Sequence, residues 1–148
     1  MNEKVKSIEM EWLYMKKYDN FCSNLHILSK ASEQDLRNEF IISGIIDKFF
    51  VQFELGWKLL KELIRYEGRP IAASGSPRTI IKEAYKIYDF FDEDIWLEML
   101  DKRNDLTHIY DGNKATALAY LIMDKYIPEF KKMEKRIIDL YGERLNDL

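Results

Sequence analysis

Ile41, Ile42, Ile45, Ile46, Phe49, Phe50, Phe53, Trp57, Leu60, Leu63 and Ile64 recur singly or in adjacent pairs, and the stretch meets no proline before Pro70. At about 100° per residue these positions cover roughly half the circumference of a helix. A single neighbour covers a narrower stripe than that, so the segment is expected to be the central helix of its fold. Ser32, followed three residues later by Asp35, offers a capping-box start. Asp47, Glu54, Lys58 and Lys61 share the opposite face and read as a solvated stripe with weak local ion pairs.

Helices are expected on both sides of this one. From Glu3 to Ser29, Ile8, Trp12, Met15, Tyr18, Cys22, Leu25 and Leu28 follow steps of three and four. Gly68 to Gly75 reads as a connecting loop, after which Ser76 and Pro77 suit the cap and first position of a short helix carrying Ile80, Ile81, Ala84, Tyr85 and Tyr88. Asp92, Glu93 and Asp94 open the next helix favourably for its dipole, and Asp111 and Gly112 are expected to end it, with the glycine left-handed. A last helix presents Leu118, Leu121, Ile122, Tyr126, Phe130, Met133, Ile137 and Leu140 on one side, bent at Pro128. No segment alternates with period two for long enough to propose a sheet. The expected architecture is all-α, an antiparallel up-and-down bundle of about five helices forming one domain over residues 1–148.

With 148 residues, 47% of them hydrophobic, the chain can fill one core. Its net charge of −3 supplies no general positive field for nucleic acid, so any such contact has to be local. The single Cys22 excludes an internal disulfide and fits a reducing compartment. There is no signal-peptide core and no run of bilayer length, so the expectation is a cytoplasmic protein with no membrane segment.

The residues that ordinary packing does not explain lie between Trp96 and Tyr110. Trp96, Met99, Leu100 and Leu106 form an apolar arc, and Arg103 falls in its middle. Asn104 and His108 are four apart, and Tyr110 projects close to Arg103 if the helix continues that far. Two readings of this group are open: an arginine paired with a carboxylate from another helix, or a functional site.

Arg103, Asn104, three residues, then His108 resembles the Arg-x4-6-His signature of the HEPN superfamily. RNDLTHIYD is similar to the RNxxxHxYD segment of the nucleotidyltransferase substrate-binding protein family, whose relatives include HepT toxins paired with a separately encoded minimal nucleotidyltransferase. FELGWKLLKELI from Phe53 and SPRTIIKEAY from Ser76 resemble that family's blocks in the same order, so the resemblance covers roughly residues 40 to 115. The chain departs from relatives in carrying Phe50 and Ser43 where acidic residues are common. The resemblance implies a HEPN-like domain, a nucleotidyltransferase partner, RNA or a nucleotide as ligand, and a homodimer with the site between protomers. It also implies that Tyr110 accepts a nucleotide, and it makes Glu54 and Lys58 worth testing as secondary site residues.

The chemistry available to Arg103, Asn104 and His108 is RNA cleavage without a metal or other cofactor. An imidazole changes charge near neutral pH and can move the proton of a ribose 2′-hydroxyl. A guanidinium can fork onto the phosphate, and Asn104 can orient His108 or a phosphate oxygen. One histidine per chain suggests two copies facing each other. The competing function is a binding module without catalysis, which presents a substrate to its nucleotidyltransferase. Gly75-Ser76 and Asp92-x-Asp94 superficially match a nucleotidyltransferase's own metal site, but the aspartates fall at a helix start and not on a strand, and His26 has no companion ligand. No metal site is expected, and the chain reads as the partner of a transferase.

Overall fold

The computed structural model describes the backbone of residues 3–70 and 75–146, and the side chains of residues 14–70 and 75–142. Ile8 and Trp12 therefore lie outside the described side chains. Six α-helices follow in order: α1 (Glu3–Leu28), α2 (Glu39–Tyr66), α3 (Pro77–Ile87), α4 (Glu93–Asn104), α5 (Gly112–Leu121) and α6 (Ile127–Asn146). A π turn over Ile122–Tyr126 joins α5 to α6 in one rod, so the chain forms an all-α bundle of five rods, as expected. No described residue is in a strand.

The central position of α2 follows from its wide apolar arc. It packs against α1, α3, α4 and α5. The apolar side chains of that arc are buried or half-buried within the chain, while Phe40 and Val51 of the same helix stay exposed. Ile42, Ile45, Ile46, Phe49, Phe53, Leu59, Leu60, Leu63 and Ile64 are buried, while Ile41, Phe50 and Trp57 sit at the edges.

α1 runs antiparallel to α2. Asn24 donates to the Gln52 side chain at 2.8 Å and to the Lys48 carbonyl at 3.1 Å, and Gln52 donates to the Phe21 carbonyl at 3.1 Å. Nearer the other end, Tyr14 meets Tyr66 edge-on with ring centroids 5.1 Å apart. The buried face of α1 is Tyr14, Tyr18, Phe21, Leu25 and Leu28, with Met15 and Cys22 on its flank. Burial pushes the Cys22 thiol up to about 12, which keeps it protonated and unreactive at neutral pH. His26 is exposed on the same helix.

Local capping accounts for most helix ends, with two corrections. The second helix starts at Asn38, whose side chain accepts from the Phe40 amide at 2.9 Å, and not at Ser32. Ser32 lies in a 3-10 turn, Ser29–Glu33, and the Asp35 carboxylate is occupied by the Arg37 amide and guanidinium, each at 3.0 Å, so no capping box forms. Gly68 is left-handed (φ 75°) and Gly112 is not; the Gly68 amide donates to the Arg65 carbonyl and that of Arg69 to the Ile64 carbonyl, closing α2. Ser76 caps α3 as expected, accepting from Thr79, and Asp92, expected only to favour the dipole of α4, also caps it by accepting from Ile95.

In the rod of α5 and α6, Pro128 is met not by a break but by a π turn just before it. Pro128 has no amide hydrogen and crowds the carbonyl four residues back, and the π turn lies immediately ahead of it. The wider turn sends Tyr126 inward, stacked on Phe49 with centroids 5.2 Å apart. Its hydroxyl and the Lys125 ammonium bind Glu98 of α4 at 2.8 and 2.7 Å. Leu140 is exposed, and Tyr141 is buried in its stead.

Candidate functional site

The seat for α4 is a glycine. Gly56 lies in the middle of α2, and a Cβ built there would stand 2.9 Å from Trp96 Cη2 and 3.2 Å from Phe21 Cε2. Only a residue without a side chain lets the Trp96 indole approach so closely. Seven residues further along α4, on the same face, Arg103 is set down one turn earlier on α2: its guanidinium lies 6.0 Å from the Phe53 ring centroid and pairs with Glu54. Glu54 also accepts from Trp57 Nε1 at 2.9 Å and has Lys58 3.9 Å away. Glu54 is thus half-buried and engaged across helices, which corrects its expected place in a solvated stripe; Lys58 is exposed as expected. About a third of the Arg103 side chain (35%) remains open to solvent.

α4 does not continue to Tyr110. It stops at Asn104, because Asp105 turns its carboxylate onto the next residues: Oδ1 accepts from the Thr107 amide at 2.9 Å and from its hydroxyl at 2.8 Å. Those bonds, with Lys114 and Lys102 nearby, hold the Asp105 carboxyl below the usual carboxylate range. A 3-10 turn over Thr107–Ile109 follows, and Asp111 then caps α5 by accepting from the Asn113 and Lys114 amides. Asn104 and His108 consequently do not share a helical face: Asn104 is exposed at the end of α4, and His108 is carried by the turn.

The same turn fixes the imidazole. His108 Nδ1 is 2.8 Å from the Asp105 carbonyl oxygen, which can only accept, so Nδ1 carries the proton and Nε2 is left as the basic nitrogen of the neutral ring. The ring meets Phe50 edge-on, with centroids 5.4 Å apart. Phe50, Phe53 and Glu54 lie along one edge of α2, so Arg103 and His108 are anchored on adjacent turns of that helix.

His108 lines two clefts. One, of about 270 Å³, is bordered by Lys102, Asp105, Thr107, Lys114, Leu118 and Leu121. The other, of about 630 Å³, lies between the start of α2 and the 108–116 segment, and includes Arg37, Ser43, Tyr110, Asn113 and Thr116. Tyr110 is 89% exposed and projects into this second cleft, away from the Arg103 pair where the sequence placed it. Leu106 and Ile109 beside it are also exposed, at 58% and 62%.

The model of the family described as "Nucleotidyltransferase substrate binding protein like" matches residues 13–139. The chain belongs to that family. It is also similar to the Probable ribonuclease HepT of Haemophilus influenzae, 32% identical over 92 residues. That match covers 60% of this chain and 62% of the relative, so the chain spans about three-fifths of the length of the curated protein it matches.

In this nucleotidyltransferase substrate-binding-like protein, sequence reasoning passed over Gly56, although a glycine inside a long helix marks a close approach of another element. It also passed over Lys102 and Lys114, which gain meaning only once the turn at Asp105 brings them to one cleft. No helix among the described residues is long and apolar enough to cross a membrane.

Proposed function

We propose that this protein is a HepT-like toxin subunit that pairs with a separately encoded minimal nucleotidyltransferase and cleaves RNA without a metal. The observation that carries the reading is the imidazole: His108 is held by the Asp105 carbonyl with Nε2 as the basic atom, at the junction of two clefts. Nε2 takes the proton of a ribose 2′-hydroxyl, and the freed oxygen attacks the adjacent phosphorus. The bond from phosphorus to the 5′ oxygen breaks, and that oxygen is protonated by an imidazolium, leaving a 2′,3′-cyclic phosphate and a 5′-hydroxyl. Arg103 offsets the charge on the phosphate, Glu54 positions Arg103, and Asn104 orients a phosphate oxygen.

One histidine per site makes the acid and the base two copies of His108 in a homodimer. The exposed Leu106 and Ile109 form an apolar knob at the motif that suits such an interface. Tyr110 is the accessible phenol to which the partner adds a nucleotide, blocking the cleft and silencing the toxin.

The test is RNA cleavage by the purified protein in excess chelator, with Arg103→Ala and His108→Ala each abolishing it while helical content is unchanged. Light scattering is expected to report two chains. The partner with ATP and Mg²⁺ is expected to give a nucleotide adduct that is absent from Tyr110→Phe. Cleavage that survives in His108→Ala overturns the mechanism.

A second reading, a binding module without catalysis, draws support from the engagement of Arg103 by Glu54, which is what a structural arginine does. It predicts RNA or nucleotide binding without cleavage, and an Arg103→Ala protein that has lost stability.

A further inference from the structure

The chain's net charge of −3 leaves no general attraction for a polyanion, and many of its cations are matched with carboxylates: Arg37 with Asp35, Lys58 and Arg103 with Glu54, Lys125 with Glu98, Lys132 with Glu129. Lys102 and Lys114 differ. They reach one cleft from the last turn of α4 and the first turn of α5, and His108 lines that cleft too. Lys114 Nζ lies 3.3 Å from the Thr107 hydroxyl. Asp105, the carboxylate in the same cleft, bonds through Oδ1 to Thr107 and offsets part of the charge of both lysines, as Glu98 does for Lys102, but neither lysine forms an ion pair within 4 Å among the described residues.

Across His108 the larger cleft has a different character. It holds the 89% exposed ring of Tyr110 beside the polar groups of Ser43, Asn113 and Thr116, with Arg37 and Glu39 as its charged members. An exposed aromatic face stacks on a nucleobase of any sequence, while amide and hydroxyl groups hydrogen-bond its edges.

We infer that the two clefts form one track for a single RNA strand, in which Lys102 and Lys114 hold the phosphate on one side of His108 and Tyr110 stacks the base on the other. This assignment rests on His108 being the group that faces RNA. It supplies two phosphate contacts and one stacking contact that the Arg103 to His108 motif does not contain. A strand lying in both clefts has its intervening phosphate at His108.

The experiment measures the fluorescence anisotropy of a labelled, 2′-O-methylated octanucleotide, which cannot be cleaved through its 2′-hydroxyl, against the full-length protein in chelator at several salt concentrations. Each phosphate contact on a single strand contributes about 0.7 to the slope of log affinity against log salt. Lys102→Ala/Lys114→Ala is expected to reduce the slope by about 1.4 and to weaken low-salt binding about tenfold. Lys82→Ala/Lys135→Ala, an equal charge change at exposed positions of α3 and α6, leaves both unchanged. Tyr110→Ala weakens binding without changing the slope, and Tyr110→Phe restores it. A wild-type slope in Lys102→Ala/Lys114→Ala overturns the assignment. If unmodified RNA is still cleaved by the wild-type protein in that case, the ribonuclease reading stands without it. Binding with the expected slopes but no cleavage keeps the track and removes the nuclease, and absence of RNA binding removes both.

Discussion

Two glycines in α2 are expected to respond to the same substitution with opposite signs. In a helix interior, Gly→Ala ordinarily stabilises by about 0.8–1 kcal/mol. At Gly44 a Cβ meets nothing within 4 Å, so Gly44→Ala should gain about that amount. At Gly56 the Cβ would stand 2.9 Å from Trp96 Cη2, where carbon pairs prefer about 3.5–4.0 Å. The indole has little room to retreat: it is fully buried, stacked on Phe91 at 5.1 Å and braced edge-on by Phe130 at 5.5 Å. Overpacking of this kind costs about 1–3 kcal/mol, and a braced ring belongs in the upper half of that range. After the helix gain, Gly56→Ala should lose about 1–2 kcal/mol, which for a chain of this size lowers Tm by roughly 2–8 °C. Urea and thermal denaturation of the two variants measure the difference directly. In a Trp96→Phe background, which removes the atoms that clash, Gly56→Ala should cost much less. A Gly56→Ala protein as stabilised as Gly44→Ala would refute the account of how α4 is seated, and with it the placement of Arg103 on Glu54.

Gln52→Leu should destabilise by roughly 1–3 kcal/mol in urea, because it strips a fully buried partner from Asn24 and from the Phe21 carbonyl. Adding Asn24→Leu should recover part of that loss, and an additive double variant would show that the two amides are not coupled. Asp105 is lowered in the folded state, so its bonds favour folding above the ordinary aspartate pKa of about 3.9 and are lost as pH falls through the lower folded value. The Thr107 amide resonance should therefore titrate with a midpoint below about 3.9, and a midpoint at or above it would remove Asp105 as the anchor of the His108 turn.

The central place of α2, the cap at Ser76, the acidic start of α4 at Asp92 and the absence of strands among the described residues were all legible, because periodicity and capping are local signals carried by adjacent residues. The break in α4 was not. Apolar spacing from Trp96 to Leu106 fits a continuous helix, and spacing does not register that Asp105 binds Thr107 more favourably than it continues the ladder. That miss displaced the expected site: Tyr110 moved from the side of Arg103 to the far wall of a cleft, and Asn104 parted from His108. Phe50, read as a departure from relatives, turns out to be the surface on which the His108 ring rests. The partner of Arg103 depends on the crossing of α2 and α4, which no pattern along either helix states. Arg103 pairs with a carboxylate from another helix, Glu54, and keeps about a third of its side chain open to solvent, an arrangement that serves either reading of the residue.

The π turn at Ile122–Tyr126 acts on the rod as a change of phase. Along one line of the rod the buried side chains Leu118, Ile122, Tyr126, Phe130, Met133, Ile137 and Tyr141 fall mostly in steps of four, a longer beat than the 3.6 residues of an α-helix, with Ala119, Ile127 and Glu129 buried beside that line. The extra residue absorbs the drift, so that α5 can present Leu118 to the His108 cleft while α6 turns Phe130 and Ile137 into the core. Deleting one residue there would rotate everything beyond it by about 100° and set the faces of α5 and α6 against the wrong neighbours. A substitution in this five-residue segment alters one contact, whereas a change in its length resets every contact beyond it.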